Sequence, residues 1–424
     1  MKPTLLLAAL VSALALFAGT SAQSADDVLV IRAALLFDGA TVRENVDVEV
    51  ANGKIVAVRP AAGEADIDLG PRMLAPGLVD THVHLTWYIT AQGRLNQRDS
   101  DDQRVAILNA AGNAWRMLQA GFTTIQSVGD AEDGLVRDAI DAGIIPGPRV
   151  LTSLGQIYTR RIGSGPGAQL QAAIAMREAV RKLHAAGADL IKIFALDGPD
   201  RGSGAQQAQL DAGCDEARVL GLRSMVHAQT SESIRAAVLA GCTHVAHGAY
   251  ADEAAIAMMA SAGVTFEPQC NLVVLNYLVN WGRFEGLPGW DDERKAALER
   301  MFGGFREAAS RWLKNDSLKV TYGSDAVAGA HGLNAADLVC RVVDLGQPAI
   351  DALRTATSAS AESLGLGDRI GTIAPGYDAD LVAFDGDPRD DPDAFMRVGF
   401  VMKGGTAYRL PPDRAGPRRI FPGR

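Results

Sequence analysis

The feature that most limits the possible folds is a change of texture along the chain. Residues 28–58 alternate in strand fashion, with Asn52-Gly53 set between two β-rich runs as in a tight hairpin. A second β-rich patch covers residues 379–384 and 400–405. Between these ends, short apolar runs lie at 78–85, 123–128, 150–154, 190–195, 224–228, 244–248, 265–269 and 320–324. They alternate with Ala-rich stretches of helical character, including 101–120, 168–186, 231–240, 252–262 and 294–313. Eight strand-like runs separated by helices predict an α/β chain whose parallel strands close into a (β/α)8 TIM barrel. An open doubly wound sheet has the same alternation, but no Gly-rich dinucleotide loop follows an early strand.

Composition narrows the function. The chain has 424 residues, of which 48% are hydrophobic and 21% charged. That balance supports a sizeable core and excludes a disordered chain or a disulfide-stapled miniprotein. A net charge of −9 without a long basic run argues against nucleic acid as a partner. Residues 1–22 combine Lys2, an apolar run over 5–17 and the small residues Thr20-Ser21-Ala22. They read as a secretory signal peptide, too short to span a membrane. The expected mature protein is periplasmic or secreted, with no membrane partner after cleavage. Cys214, Cys242, Cys270 and Cys340 are too widely spaced for a thiolate zinc site. Export would permit two bridges. Three of the four lie beside or within barrel-like elements, however, and the expectation is reduced, buried cysteines.

Barrel enzymes carry their chemistry at the C-terminal strand ends, and reactive side chains collect there in this sequence. In Asp80-Thr81-His82-Val83-His84, alternation puts His82 and His84 on one face, where they could chelate one metal ion or hydrogen-bond as a pair. Lys192 interrupts Leu190-Ile191-Lys192-Ile193-Phe194 and points opposite Ile191 and Ile193. A bare ammonium inside a barrel is expensive. The lysine needs an ion-pair partner, a Schiff base or carbamylation by CO2. His227 ends the fifth run, and His244 and His247 share the sixth. Their spacing of three sends the last two to opposite sides of an extended strand. His247, nearer the catalytic end, is the ligand candidate and His244 a supporting residue. Asp325 caps the last run, His184 falls on a helix as a surface residue, and His331 lies in the loop that follows Asp325.

These motifs make the sequence resemble the amidohydrolase superfamily, in particular its imidazolonepropionase-like and Xaa-Pro dipeptidase (prolidase)-like branch. The resemblance rests on residues 75–84, Gly121-Phe122-Thr123-Thr124, residues 188–193, Val226-His227-Ala228, Ala246-His247-Gly248 and Gly323-Ser324-Asp325-Ala326. The tail at 368–376 and 379–382 completes it. The resemblance implies a barrel over residues 76–368 and a small β-sandwich formed by both chain ends, residues 23–75 and 369–424. It implies two divalent metal ions, zinc by default. His82, His84 and Asp325 would hold the first, His227 and His247 the second, and a CO2-derived carbamate on Lys192 would bridge them. It further implies a metal-bridging hydroxide as nucleophile, with Asp325 as the catalytic proton carrier.

The expected partner is a small-molecule amide or peptide, such as a dipeptide or N-acyl amino acid. The same centre could serve a lactone, phosphoester or cyclic amide. A non-catalytic binding protein would have lost ligands, and here all six positions are filled. Assembly as a homo-oligomer is left open. Where dipeptidase-like relatives often have Gly-Gly-His after the third strand, this chain reads 156–165, offering Tyr158, Arg160 and Arg161 for substrate binding. After the seventh run, Asn271 and Tyr277, with Trp281 and Trp290 nearby, suggest a covering lid. His331 completes the candidate substrate-binding set.

Overall fold

The computed structural model describes residues 28–96, 101–160, 166–195, 204–287 and 289–411. Both chain ends contribute to one mixed sheet. Strands β1 (Leu29–Phe37), β2 (Val42–Ala51), β3 (Lys54–Pro60), β4 (Ile67–Asp68) and β5 (Met73–Pro76) come from the N-terminal side. The Asn52-Gly53 hairpin forms as expected, with both residues at positive φ, 51° and 76°. That pair of conformations matches the twist of the flanking strands, and Asn-Gly tolerates it.

Among the described residues, nine strands then run through the middle of the chain. They are β6 (Leu78–Val83), β7 (Phe122–Ser127), β8 (Arg149–Thr152), β9 (Gln156–Tyr158), β10 (Leu190–Phe194), β11 (Arg223–Thr230), β12 (His244–Tyr250), β13 (Thr265–Pro268) and β14 (Lys319–Val320). β6-β7-β8 form one parallel sheet and β9 to β14, in order, another. The third expected strand appears as β8, and a further strand, β9, lies in the expected loop after it. Leu154 has φ 52° and bends the chain. β8 therefore pairs with β7, while β9 pairs with β10. The last expected strand is also shorter, ending at Val320. The residues after it still bond to β6: Thr81 N–H donates to the Tyr322 carbonyl at 2.9 Å, Asp325 N–H to His82 at 2.8 Å and His84 N–H to Ala326 at 2.9 Å.

Strands β15 (Leu381–Phe384), β16 (Val398–Lys403) and β17 (Thr406–Arg409) return to the first sheet, where β15 lies antiparallel to β5. Period-two alternation divides the two faces of this sheet. Leu381 and Ala383 pack with Ile31, Val48 and Phe400. Val382 and Phe384 pack with Phe122 and with Ala114 and Met117 of the helix Gln103–Gln119.

Helices expected from the Ala-rich stretches appear as Gln103–Gln119, Pro166–Ala185, Ser231–Leu239, Glu253–Ala262 and Asp292–Trp312. Side chains of Asp102, Thr230, Asp252 and Asp291 accept backbone N–H groups at the starts of four of them, satisfying donors a helix leaves unpaired. Among the described residues, no helix is long and apolar enough to cross a membrane. His184 is exposed on its helix, as expected.

The cysteine expectation is overturned. Cys214 is bonded to Cys242, and Cys270 to Cys340. Sequence separations of 28 and 70 hid this, because each pairing joins a helix to a connecting segment that only the tertiary fold brings beside it. Packing brings the Cα atoms to 5.0 and 6.0 Å, within the span a disulfide bridges.

Candidate metal centre

Alternation on β10 sets the innermost residue. Ile191 and Ile193 join the apolar layer shared with the helices, while Leu190 turns inward against Met225 and Ala246. Lys192 shares Leu190's side and is fully buried. Its Nζ lies 3.3 Å from His82 Nε2. Burial pushes its amine down to about 8, against the opposing pull of Glu267 and Asp325.

The other expected ligands converge on the same point. His84 Nε2 is 3.1 Å and His82 Nε2 3.4 Å from Asp325 Oδ1. Ligand atoms of these three residues lie within 4.8 Å of one another. The His247 ring lies 5.1 Å from that of His82 and 4.2 Å from that of His227, centroid to centroid. Burial holds His227 and His84 below the usual imidazole range and His247 down to about 3, so these rings are neutral lone-pair donors. Burial works to raise the Asp325 carboxyl, but the adjoining His82 and His84 outweigh it and keep it ionised.

His244 and His247 were expected on opposite sides of their strand, yet both face this interior. The reason is local. His247 has φ 78° and Gly248 φ 64°, so the backbone leaves extended geometry there and parity no longer applies. Asp325 has φ 52°. Such conformations cost an ordinary residue about 1–3 kcal/mol and gather at functional sites. Gly248 is needed in this turn, since a Cβ would meet the Phe266 ring at 2.5 Å.

Residues around the ligands orient them. His82 Nδ1 donates to Glu267 Oε1 at 2.9 Å, and His247 Nδ1 donates to Gln269 Oε1. His244 Nε2 sits 3.5 Å from Glu267 Oε2. Asp80 takes bonds from Ser324, Asn334 and the His82 amide. Burial raises its carboxyl to about 6. Sequence reasoning missed Glu267 and Asp80. Each is a charged residue within a short apolar strand, the signal that singled out Lys192.

The expected substrate-binding residues divide. Tyr158 is half exposed, and its ring stacks on Phe194 at 4.7 Å, which stacks on His227 at 4.6 Å. Asn271 is buried with no hydrogen-bond partner at Oδ1. Tyr277 sits among Phe284, Trp290 and Trp281, edge-on to the first two at 5.2 and 5.0 Å. His331 bonds the His84 carbonyl at 3.0 Å, bracing the ligand strand. Arg160 is exposed and clasped through its backbone by Gln209. Arg161 lies outside the described residues.

The donor set fits divalent metal ions. Nε2 of His247 is buried with no partner. The Nδ1 bonds of His82 and His247 also leave Nε2 as the lone-pair atom of each ring, as in metal-bound histidines.

The model of the amidohydrolase family matches residues 73–407. An ochratoxinase from Aspergillus niger is 26% identical over 381 residues, 80% of this chain and 76% of its own. A Xaa-Pro dipeptidase structure with methionine bound in its active site is similar at a TM-score of 0.78 and 24% identity, over 90% of this chain and 100% of that one. A prolidase complexed with N-methylphosphonate-L-proline gives 0.76 and 25%, over 90% and 100%. The chain belongs to the amidohydrolase family and is a hydrolytic enzyme.

Proposed function

We propose that this amidohydrolase is an exported, binuclear metal-dependent enzyme that cleaves the amide bond of a dipeptide or N-acyl amino acid. One observation carries the reading: six buried or nearly buried side chains from five segments, His82, His84, Lys192, His227, His247 and Asp325, come together around one point. His82, His84 and Asp325 would hold one ion, His227 and His247 the other, and Lys192, as a carbamate, would lie between them. Zinc suits a set of nitrogen and carboxylate-oxygen donors. Ions bound there would supply Lewis acidity toward the carbonyl and acidify coordinated water.

The chain's own residues do the rest. Asp325, ionised and 14% exposed at its side chain, accepts a proton and returns it to the leaving nitrogen. The Tyr158–Phe194 stack forms an aromatic wall toward His227, suited to an apolar substrate side chain. Asn271 and Tyr277 offer polar contacts, and Arg160 would meet a substrate carboxylate. The amide preference draws on the Xaa-Pro dipeptidase and prolidase among the similar structures.

The same reading takes the parallel strands as a closed barrel over 76–368 and the sheet of both ends as a β-sandwich from 23–75 and 369–424. Closure is supported by the bend at Leu154 and by the bonds from residues 322–326 to β6. Export is supported by the leader at 1–22 and the two disulfides.

Metal analysis of the purified protein tests the centre, with close to two divalent ions per chain expected. A panel of dipeptides, N-acyl amino acids, lactones and organophosphates then tests the chemistry. Hydrolysis confined to the esters would overturn the amide reading.

A further inference from the structure

We propose that Glu267 and Gln269 form a relay that sets the tautomers of His82 and His247 together, so that one buried carboxylate prepares a ligand for each of the two ions. The inference rests on the metal-centre reading above and adds positioning residues that the sequence did not reveal.

Glu267 is fully buried. Its Oε1 accepts from His82 Nδ1 at 2.9 Å and from Gln269 Nε2 at 2.7 Å, and its Oε2 accepts from Thr81 Oγ1 at 3.1 Å. An ionised carboxylate offers acceptors alone, so the Gln269 amide must present its NH2 group to it. That leaves Gln269 Oε1, which can accept but not donate, against His247 Nδ1. Nδ1 of His247 therefore carries the proton and Nε2 the lone pair. His82 obeys the same logic through its direct bond to Glu267, and its Nε2 faces the Lys192 amine at 3.3 Å. A neutral pair of side chains could have turned either way; the charge at Glu267 removes the choice at both histidines.

The backbone keeps the relay in place. The Asp337 carboxylate accepts the N–H groups of Cys270, Asn271 and Leu272 at 3.0, 2.8 and 3.1 Å. Arg341 donates to the Pro268 carbonyl, and the Cys270–Cys340 bridge ties the segment to the helix Ala336–Val343. Space is reserved as well. A Cβ at position 323 would lie 2.2 Å from Cδ of Glu267, so Gly323 gives the carboxylate room. A buried charge held by so many donors is a costly way to fill a core, but an economical way to fix two rings.

The test compares the wild type with Gln269→Leu, Gln269→Glu and Glu267→Gln, each loaded with Co2+ and dialysed against graded chelator. Retained metal is counted and the visible Co2+ spectrum recorded. We expect the wild type to hold two ions. Gln269→Leu should release one of them about 10–100-fold more readily while keeping the other. Glu267→Gln should loosen both. Gln269→Glu keeps an acceptor for His247 but sets a second carboxylate against Glu267, and should not restore the lost ion. The Gln269 variants carry the test if Glu267→Gln does not fold. A Gln269→Leu protein holding both ions as tightly as the wild type overturns the relay alone, whereas a wild type that binds no ion overturns the metal centre and the relay together.

Discussion

At the scale of single residues, Lys192 separates stability from function. A fully buried ammonium near two carboxylates is a poor stabiliser, since desolvation offsets most of the attraction. Lys192→Met, which keeps the volume and removes the charge, should leave the metal-free protein melting at or above the wild-type temperature. The same variant should retain fewer ions and lose about 10²-fold or more of its activity. Scanning calorimetry beside metal analysis checks this, and a variant retaining two ions would show that Lys192 is not a ligand. Lys192 was legible because it breaks an apolar run whose alternation is regular. His82, His84 and His227 were legible by the same rule. His247 was chosen for its nearness to the strand end, while the parity argument failed at its positive φ, which sequence does not encode for a histidine. Glu267 stayed hidden because its strand is only four residues long and carries no histidine to draw attention to it.

At the scale of elements, helix boundaries were read within about two residues because side-chain caps and apolar periodicity agree there. Strands were harder. The split between β8 and β9 depends on one left-handed residue, Leu154, and the course of the chain after β14 on bonds to distant β6. The disulfides were the plain failure, because their partners meet through tertiary packing. The Cys270–Cys340 bridge closes a loop of 70 residues. Cys340→Ser should lower stability by about 2–4 kcal/mol, read as a fall in thermal midpoint. An unchanged midpoint would show that the bond adds nothing to the folded state.

At the scale of the whole molecule, Asp378 joins three parts of the chain. Its carboxylate meets Lys54 of the N-terminal hairpin at 2.6 Å, Arg149 of β8 at 2.9 Å and Arg369 of the tail at 3.1 Å. Burial would raise its pKa, but these three cations outweigh burial and hold it below the usual carboxylate range. A depressed value in the folded state means stability that is present at neutral pH and lost as pH falls through the folded-state pKa. Asp378→Asn should therefore cost about 1–3 kcal/mol at pH 7, and the gap to the wild type should close in acid below about pH 4. Denaturant titrations across that range check the sign, and a gap that stays constant would assign the loss to packing. The two β-rich ends were legible as strands and the family resemblance implied that they join, but the joining pair, β5 with β15, was not legible, since nothing local marks strands so far apart as neighbours. That pairing has a consequence for the newborn chain. Met73–Pro76 leaves the ribosome long before Leu381–Phe384 exists, so one edge of the first sheet waits, sticky and open, through most of translation.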